Sequence, residues 1–544
     1  MASLNAATMS LQDPWQSTLV QLGLAHGSSS DKETVFLNNL RALGFTLRTK
    51  VQMREVQFPA GVGLCQQPVI PVKELAEEIL QDFPAILLFG HGYDQLDKVQ
   101  TTFSTFWERF RHTWPQHPVF EVHHNDLHRC IPCRVHCDEG TSFRKAGIFQ
   151  HSWGPVIKSG PASWLHCFFY TCLLAQHYKD DNLGFAAGNR TLDGLLGHFV
   201  DEANDCFING LQSPQGKFFL VFVRLEGDLP AQGKLMHSAR NFTNEPNPMC
   251  PWCLADDRNI PFADHRRDAV WRTTTGSQKP WGSCSPLHRL PGGDEEEFVA
   301  KDLFHISQLG ITRTFVASCI CYLVDIGHFT AGHAPTVAVP VRLKEAYECF
   351  KDHCRLVQRE TPDVKAFSRE NLGWKSRNTM PETSWKGSDS RLLVKWLVDY
   401  LQQPWLRNEI MECMLLALIA MDDFHRLCYQ QADRIWLTAA QATSARHFLW
   451  QFFRSYVKAA RLCHEQAKLF FNITPKFHYL LHIHEDLQRC AGCEYALNPA
   501  SFATQMDEDH VGVVSQMGRT CHPLAVSKRT AEKWLIHIWL KWTK

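Results

Sequence analysis

The chain of 544 residues carries no net charge, because 56 lysines and arginines stand against 56 aspartates and glutamates. The broad basic field of many nucleic-acid binders is therefore absent, and any such contact has to rest on local patches. No run of eighteen apolar residues occurs. The strongest apolar helix pattern, around MECMLLALIAM, has charge at both ends and the length of a core helix, so no membrane span is expected. The first residues, MASLNAATMSLQDPW, lack a charged segment followed by an apolar one, which argues against a secretory leader. There is no GxSxG elbow, no GxxxxGK[ST] loop and no internal repeat, which removes serine-hydrolase, P-loop and solenoid readings.

What the chain does have is apolar mass and cysteine. At 44% hydrophobic residues it can fill two or three ordinary domains, or one large domain carrying an insertion. Its 20 cysteines are scattered, and three pairs are spaced CxxC: Cys130/Cys133, Cys250/Cys253 and Cys490/Cys493. Without a leader, that usage points to a reducing, intracellular setting with free thiols or metal ligands. The sequons at Asn189, Asn241 and Asn472 are then chance matches.

Periodicity divides the chain. Residues 1–118 read as a small α/β accessory region: VKELAEEILQDF and VQTTFSTFWERFRHTW have helical period, and PAILLFGHG reads as a short buried strand. From 119 the pattern turns to strands, HRCIPCRVHC, AGIFQHSWGPVI and SWLHCFFYTCLL. The helix TLDGLLGHFVDEANDCFINGL follows, with Asp or Thr available as its cap and a stripe at Leu192, Leu195, Leu196, Phe199 and Ala203. FFLVFVRL is the clearest buried strand. Residues 241–300 are polar and loop-rich, 301–474 are mainly helical, and 475–544 hold PKFHYLLHIHEDL, MDEDHVGVVSQMGR and a last helix. Residues 359–390 have the composition of a mobile loop.

Three acids stand out by position: Asp138 at the end of the first core strand, Asp228 just after the clearest strand, and one acid within Asp507-Glu508-Asp509 on a late helix. Such carboxylates suit two-metal phosphoryl transfer, in which hard Mg²⁺ ions need oxygen ligands from several elements. Taken singly, each acid is equally a turn or cap residue. Cys250 and Cys253 supply half of a structural zinc site, with His237, His265, Cys284 or His288 available to complete it. Cys130/Cys133 with Cys137 or His136 is a weaker set, because a strand sends alternate side chains to opposite faces. HCDEG and MCPWC do not fit a zinc deaminase, since Glu139 is three residues after His136 and Met249 separates Pro248 from Cys250.

The order of these motifs resembles a family. VHCDEG after a first strand, GDLPAQGK after a later one, CPWC, then DLFH, a long helical stretch, PKFHYLLH and an acid-bearing helix together resemble the DDE/D cut-and-paste DNA transposases, nearest the CACTA (En/Spm) and Kyakuja-Dileera-Zisupton group. The resemblance spans roughly residues 119 to 542. It implies an α/β fold with an RNase H-like mixed-sheet core, interrupted by a large helical insertion. It also implies Asp138, Asp228 and Glu508 as the triad for Mg²⁺ or Mn²⁺, Asp507 being the nearest rival for the third place. Asp302 and His305 match the family's D-xx-H motif, and His305 would position a metal, a phosphate or an acid; Asp302 could equally cap its helix. The long gap between Asp228 and Glu508, 280 residues by subtraction, is where the insertion falls.

The expected partners are DNA, through its phosphate backbone and transposon ends, and a second copy of the chain; the expected compartment is the nucleus. Arg144, Lys145, Lys234 and Arg240 are candidate phosphate contacts. The competing function is a catalytically silent, transposon-derived protein that binds nucleic acid or another protein. A terminal DNA-binding module, usual in an autonomous transposase, is not evident.

Overall fold

Four runs of residues buried on both faces build the centre of the molecule. They are β3 (Cys130–Thr141), β4 (Gly147–Pro155), β5 (Phe168–Leu174) and β6 (Phe219–Glu226), numbered after the amino-terminal hairpin β1 (Gln52–Gln57) and β2 (Leu64–Val69). This computed structural model describes residues 29–544 apart from 60, 61, 180–183, 243–247, 331–336, 377, 404–406 and 431–434. The amino-terminal stretch MASLNAATMSLQDPW lies outside the described residues.

β3 pairs antiparallel with β4 and β4 antiparallel with β5, while β6 runs parallel to β3 on its other side, giving the mixed sheet β5-β4-β3-β6. A further parallel bridge joins Leu225 to Val299 beyond β6. Parallel neighbours need a crossover. It is supplied by a helix, Arg190–Ile208, whose expected stripe from Leu192 to Ala203 is buried. The cap is neither Asp nor Thr but Asn189, whose side chain accepts from the Leu192 amide at 3.0 Å.

The remaining helices fall in chain order as α1 (Ser29–Ala42), α2 (Val72–Asp82) and α3 (Leu96–Thr113), with the crossover as α4. They continue with α5 (Leu229–Leu235), α6 (Thr312–Asp325), α7 (Val339–His353), α8 (Gly387–Gln402), α9 (Glu409–Gln430) and α10 (Ala439–Glu465). The last three are α11 (Pro475–Arg489), α12 (Gln505–Arg519) and α13 (Val526–Trp542). The described residues thus form a mixed α/β fold in which helices predominate. α4 covers one face of the sheet, with Phe199 against His151 and Phe222. α12 crosses the other face.

Several expectations change at this level. PAILLFGHG is no strand: Pro84–Leu87 forms a single helical turn, for which a proline at the first position is preset. The amino-terminal region is tied into the central sheet, because Trp107 donates to the Cys130 carbonyl (2.8 Å) and the Ile70 amide to the Tyr170 carbonyl (2.8 Å). The segment 359–390 has few regular hydrogen bonds but is pinned by buried Val364, Phe367, Leu372 and Trp374. The stretch long and apolar enough to cross a membrane is Phe304–Asp325 rather than MECMLLALIAM, and its most apolar window is 83% buried within the fold, as a core helix would be.

Candidate active site and metal centre

Alternation along β3 sends Arg134, His136 and Asp138 to the face that α12 covers. Gly140 lets that helix come close, since a Cβ there would meet the Ser515 hydroxyl at 2.4 Å. Gln150 Nε2 then donates to the Val511 carbonyl (3.2 Å) and to Ser515 Oγ (2.9 Å), holding α12 across the strands.

Asp228 reaches the same place from β6. His136 is in register with Glu226, and the backbones are still touching one residue later. Gly227, at φ 141°, passes so near that a Cβ would stand 2.5 Å from the Cys137 carbonyl oxygen. Asp228 is thereby brought near enough for its charge to act on Asp138. Asp228 also caps α5, its Oδ1 accepting from the Ala231 amide at 2.8 Å. The cap reading and the cluster reading hold together, because the cap uses one carboxylate oxygen and leaves the other.

The three consecutive acids of α12 separate by rotation, since a helix turns roughly 100° per residue. Asp507 points into the protein, fully buried, and takes Arg134 Nη1 at 2.5 Å, while Glu226 takes the same nitrogen at 3.0 Å. Asp509 accepts from Ser163 at 2.5 Å. Glu508 faces Asp138 and Asp228, and its Oε1 lies 3.4 Å from His305 Nε2. Of the three, Glu508 is the one that joins the cluster, and Asp507 is spent on the buried arginine.

Electrostatics follow from this crowding. Burial first, and then the charges of Glu508 and Asp228, push the Asp138 carboxyl up to about 8. Glu508 is also raised, by burial and by Asp302 and Asp228, against the pull of His305. Asp138 and Glu508 thus each act on the other, and Asp228 acts on both. Burial alone would lower His305, but the hydrogen bond and charge of Asp302, with Glu508 and Asp228, raise it. In the layer beneath, burial lifts Glu226 to about 8, whereas Arg134 overcomes burial to hold Asp507 well below the usual carboxylate range.

Asp302 does what both readings required. Its Oδ1 caps the helix at the Phe304 amide (2.8 Å), and its Oδ2 takes His305 Nδ1 (2.7 Å) and Thr504 Oγ1 (2.6 Å). The ring of His305 is thereby fixed with Nε2 toward Glu508. Lys476, which the sequence did not single out, sits at the start of α11; burial and Arg313 lower it to about 8, against the attraction of Asp228 and Asp302. Glu139 lies outside the cluster, paired with Lys234 at 3.0 Å. Lys234 is thus engaged. Arg240 is buried and donates to the carbonyls of Cys253 (3.0 Å) and Gln278 (2.5 Å), so it braces a loop rather than facing solvent. Arg144 and Lys145 occupy a short turn at positive φ, beyond the end of β3.

A second constellation is tighter. Cys250, Cys253, His478 and His482 are all buried, with their ligand atoms within 4.8 Å of one another. Cys250 Sγ is 3.3 Å from His482 Nε2, Cys253 Sγ 3.2 Å from His478 Nε2, and the two Nε2 atoms are 3.1 Å apart. A tetrahedral zinc with ordinary bond lengths spaces its ligands by about 3.3–3.8 Å, so the four atoms fit such an ion with little movement. His478 Nδ1 bonds the Phe262 carbonyl at 3.0 Å, which turns Nε2 inward. The Trp252 and Ala255 amides donate to the two sulfurs at 3.4 and 3.3 Å. Burial drives the Cys250 thiol up, while hydrogen bonds from Cys250, His478 and His482 outweigh burial at Cys253 and bring it down.

The side chains that complete a four-membered group with Cys250 and Cys253 are therefore His478 and His482, not the local candidates. His237 pairs with Asp193 (2.8 Å), His288 closes a capping box, His265 packs near Trp450 and Cys284 is exposed. Cys130, Cys133 and Cys137 are buried free thiols. Neither a protein-family model nor a curated protein matches the chain.

Proposed function

We propose that the protein is a divalent-metal-dependent enzyme that cleaves and joins DNA strands, of the DDE transposase type or descended from it, built on an RNase H-like core with a helical insertion. The observation that carries this reading is the convergence of Asp138, Asp228 and Glu508 from three distant parts of the chain, each near enough to feel the charge of the others, with His305 held by Asp302 against Glu508 at 3.4 Å. Like charges brought near one another raise each other's affinity for a proton, and a bound cation would relieve the same repulsion. The sheet order β5-β4-β3-β6, with one parallel pair and a parallel bridge beyond it, is the order expected of an RNase H-like core. Asp138 then lies within its first strand, three residues before the end rather than at it, and Asp228 two residues beyond the fourth.

Asp138, Asp228 and Glu508 would hold the divalent ions, since hard cations take carboxylate oxygens from several elements. The chemistry such ions would supply there is activation of an attacking oxygen and stabilisation of the leaving oxygen in an in-line displacement. The chain's own contribution is positional. Asp138 and Asp228 are fixed by strand pairing, Glu508 by the rotation of α12, and His305 by Asp302 and Thr504. Lys476 offers a cation at the rim for a phosphate oxygen. Cys250, Cys253, His478 and His482 would hold a structural zinc, for which the four side chains supply a full ligand set.

The test is plasmid nicking with Mn²⁺, paired with calorimetry of Mn²⁺ binding. Wild type should nick, and Asp228→Asn and Glu508→Gln should lose nicking while keeping their fold. Equal nicking by wild type and Asp228→Asn rejects the assignment. DNA binding without nicking by the wild type moves the protein to the catalytically silent class.

A further inference from the structure

A basic cleft of about 510 Å³ opens between the Cys/His-rich loop, α10 and the second half of α11, away from the carboxylates. It is lined by Arg267, Arg272, Arg446, His447, Trp450 and His484, among others. For a chain with no net charge this is a marked local concentration. Glu485 is the carboxylate in its wall, and Arg272 neutralises it in a close ion pair. Arg446 donates to the neutral Gln488 side chain at 2.9 Å, and Arg267 lies 5.6 Å over the Trp450 ring. Neither has a carboxylate partner among the described residues. The fields of Arg272, Arg446 and Arg267 converge on His484 at the floor of the cleft. Arg446, Trp450 and Arg454 follow at four-residue intervals and so share one face of α10, which extends the basic line beyond the cleft.

The geometry points to this cleft as a docking site for the sugar-phosphate backbone of double-stranded DNA, flanking the phosphodiester at the carboxylates. This rests on the function proposed above and adds a second contact region to it. α11 links the two places: Lys476 is at the carboxylates, and His484 is eight residues on, roughly 12 Å along the axis. That distance matches about three to four base pairs, given a rise near 3.4 Å. Trp450, an aromatic ring in the lining, is already in contact with His265, His484 and Arg267, with ring separations of 5.9 Å to each histidine. The lining is otherwise mainly basic, so the cleft suits duplex phosphates rather than the stacked bases of a single strand. Contacts of this kind position DNA without reading its sequence.

The test is fluorescence anisotropy of the full chain with a 30-base-pair duplex, in buffer free of divalent ions, across a series of salt concentrations. The Arg267→Ala/Arg446→Ala variant should bind every duplex sequence more weakly, with the slope of log K against log salt shallower by about 2, one counterion for each phosphate that is no longer neutralised. An unchanged slope, or a single strand that outcompetes the duplex, overturns the proposal. The milder Arg267→Gln/Arg446→Gln variant, with zinc content and melting temperature recorded, keeps the test valid if the alanine variant misfolds. Asp228→Asn separates the two assignments: it should bind with the wild-type slope whether or not the wild type nicks. Full nicking by the arginine variant at low salt with an unchanged slope defeats the cleft alone.

Discussion

Replacing Asp138 by Asn tests whether the three acids form a site that is held under repulsion. In the folded protein the Asp138 carboxyl keeps its proton up to about pH 8, whereas in the unfolded chain it loses it near 3.9. Between those limits the folded state binds more protons than the unfolded one, so stability falls as pH rises from about 4 to about 8. At 1.36 kcal/mol per pKa unit the whole window bounds the cost at about 5–6 kcal/mol. Asp138 and Glu508 are both part-exposed, so screening leaves about 2 kcal/mol. An unfolding entropy of about 2.1 cal/mol/K per residue gives about 1.1 kcal/mol/K for this chain, and the variant should melt about 2 °C above wild type at pH 8. Buffers are passed over a chelating resin, which leaves a tightly held zinc in place, and unfolding is followed by calorimetry from pH 5 to pH 8.5. The wild-type melting temperature should fall across that range and the Asp138→Asn curve should be flatter. Adding Mn²⁺ at about 100 times its dissociation constant should return about 2.7 kcal/mol to wild type and little to the variant. Parallel pH curves with equal Mn²⁺ shifts for the two proteins would refute the reasoning.

The remaining expectations address other parts of the same architecture. Arg134→Met leaves the buried Asp507 carboxylate without its partner and should cost about 3–5 kcal/mol in a urea titration, unless Asp507→Leu is introduced with it, which should recover most of the loss. Elemental analysis of purified protein should find one zinc per chain, and His482→Ala should lose it together with several degrees of melting temperature; a zinc-free wild type of full stability would contradict the assignment. Asp302→Asn and His305→Ala should each weaken Mn²⁺ binding by about ten- to a hundredfold in calorimetry while zinc content stays constant. Lys476→Met should preserve Mn²⁺ binding and reduce nicking by about tenfold or more, a split that separates phosphate contact from ion binding.

What the sequence made legible follows from how local each signal is. The strands of the sheet announce themselves as short apolar runs bounded by turn residues and the stripe of α4 by its 3.6 period, and both signals are complete within a few residues. PAILLFGHG fails for the opposite reason: a short apolar run has no period long enough to separate strand from helix, and Pro84 was the cue that favoured the helical turn. The segment 359–390 was judged by polarity, yet Phe367 and Trp374 anchor it, since a few large aromatic groups bury enough surface to order a loop. The Cys/His group shows the limit most plainly. His478 and His482 are 228 and 229 residues beyond Cys250 and Cys253 by subtraction, so only the fold brings them together. The signal was nevertheless present: histidines four apart on a helix face one side, as two thiolates need, and PKFHYLLH carries them.

The tripeptide Asp507-Glu508-Asp509 shows why the choice of third acid could not be read from order alone. Composition makes the three interchangeable, and a helix makes them point in three directions, so what distinguishes them is whatever fixes the rotation of α12. Arg134 is that device. It stands on the same strand and the same face as Asp138, four residues earlier, and its guanidinium grips Asp507, the residue before Glu508. One strand therefore supplies both a carboxylate of the cluster and the cation that aims another carboxylate at it. The buried ion pair is weak as a stabiliser, since its desolvation offsets most of its attraction. As a means of setting register it is effective, because a turn of α12 by one residue would bury Glu508 against Arg134 and carry Asp509 into the cluster. The acid cluster and the charged layer beneath it are in this sense one structure, and a substitution that removes the lower layer should loosen the upper one even where no cluster residue is changed.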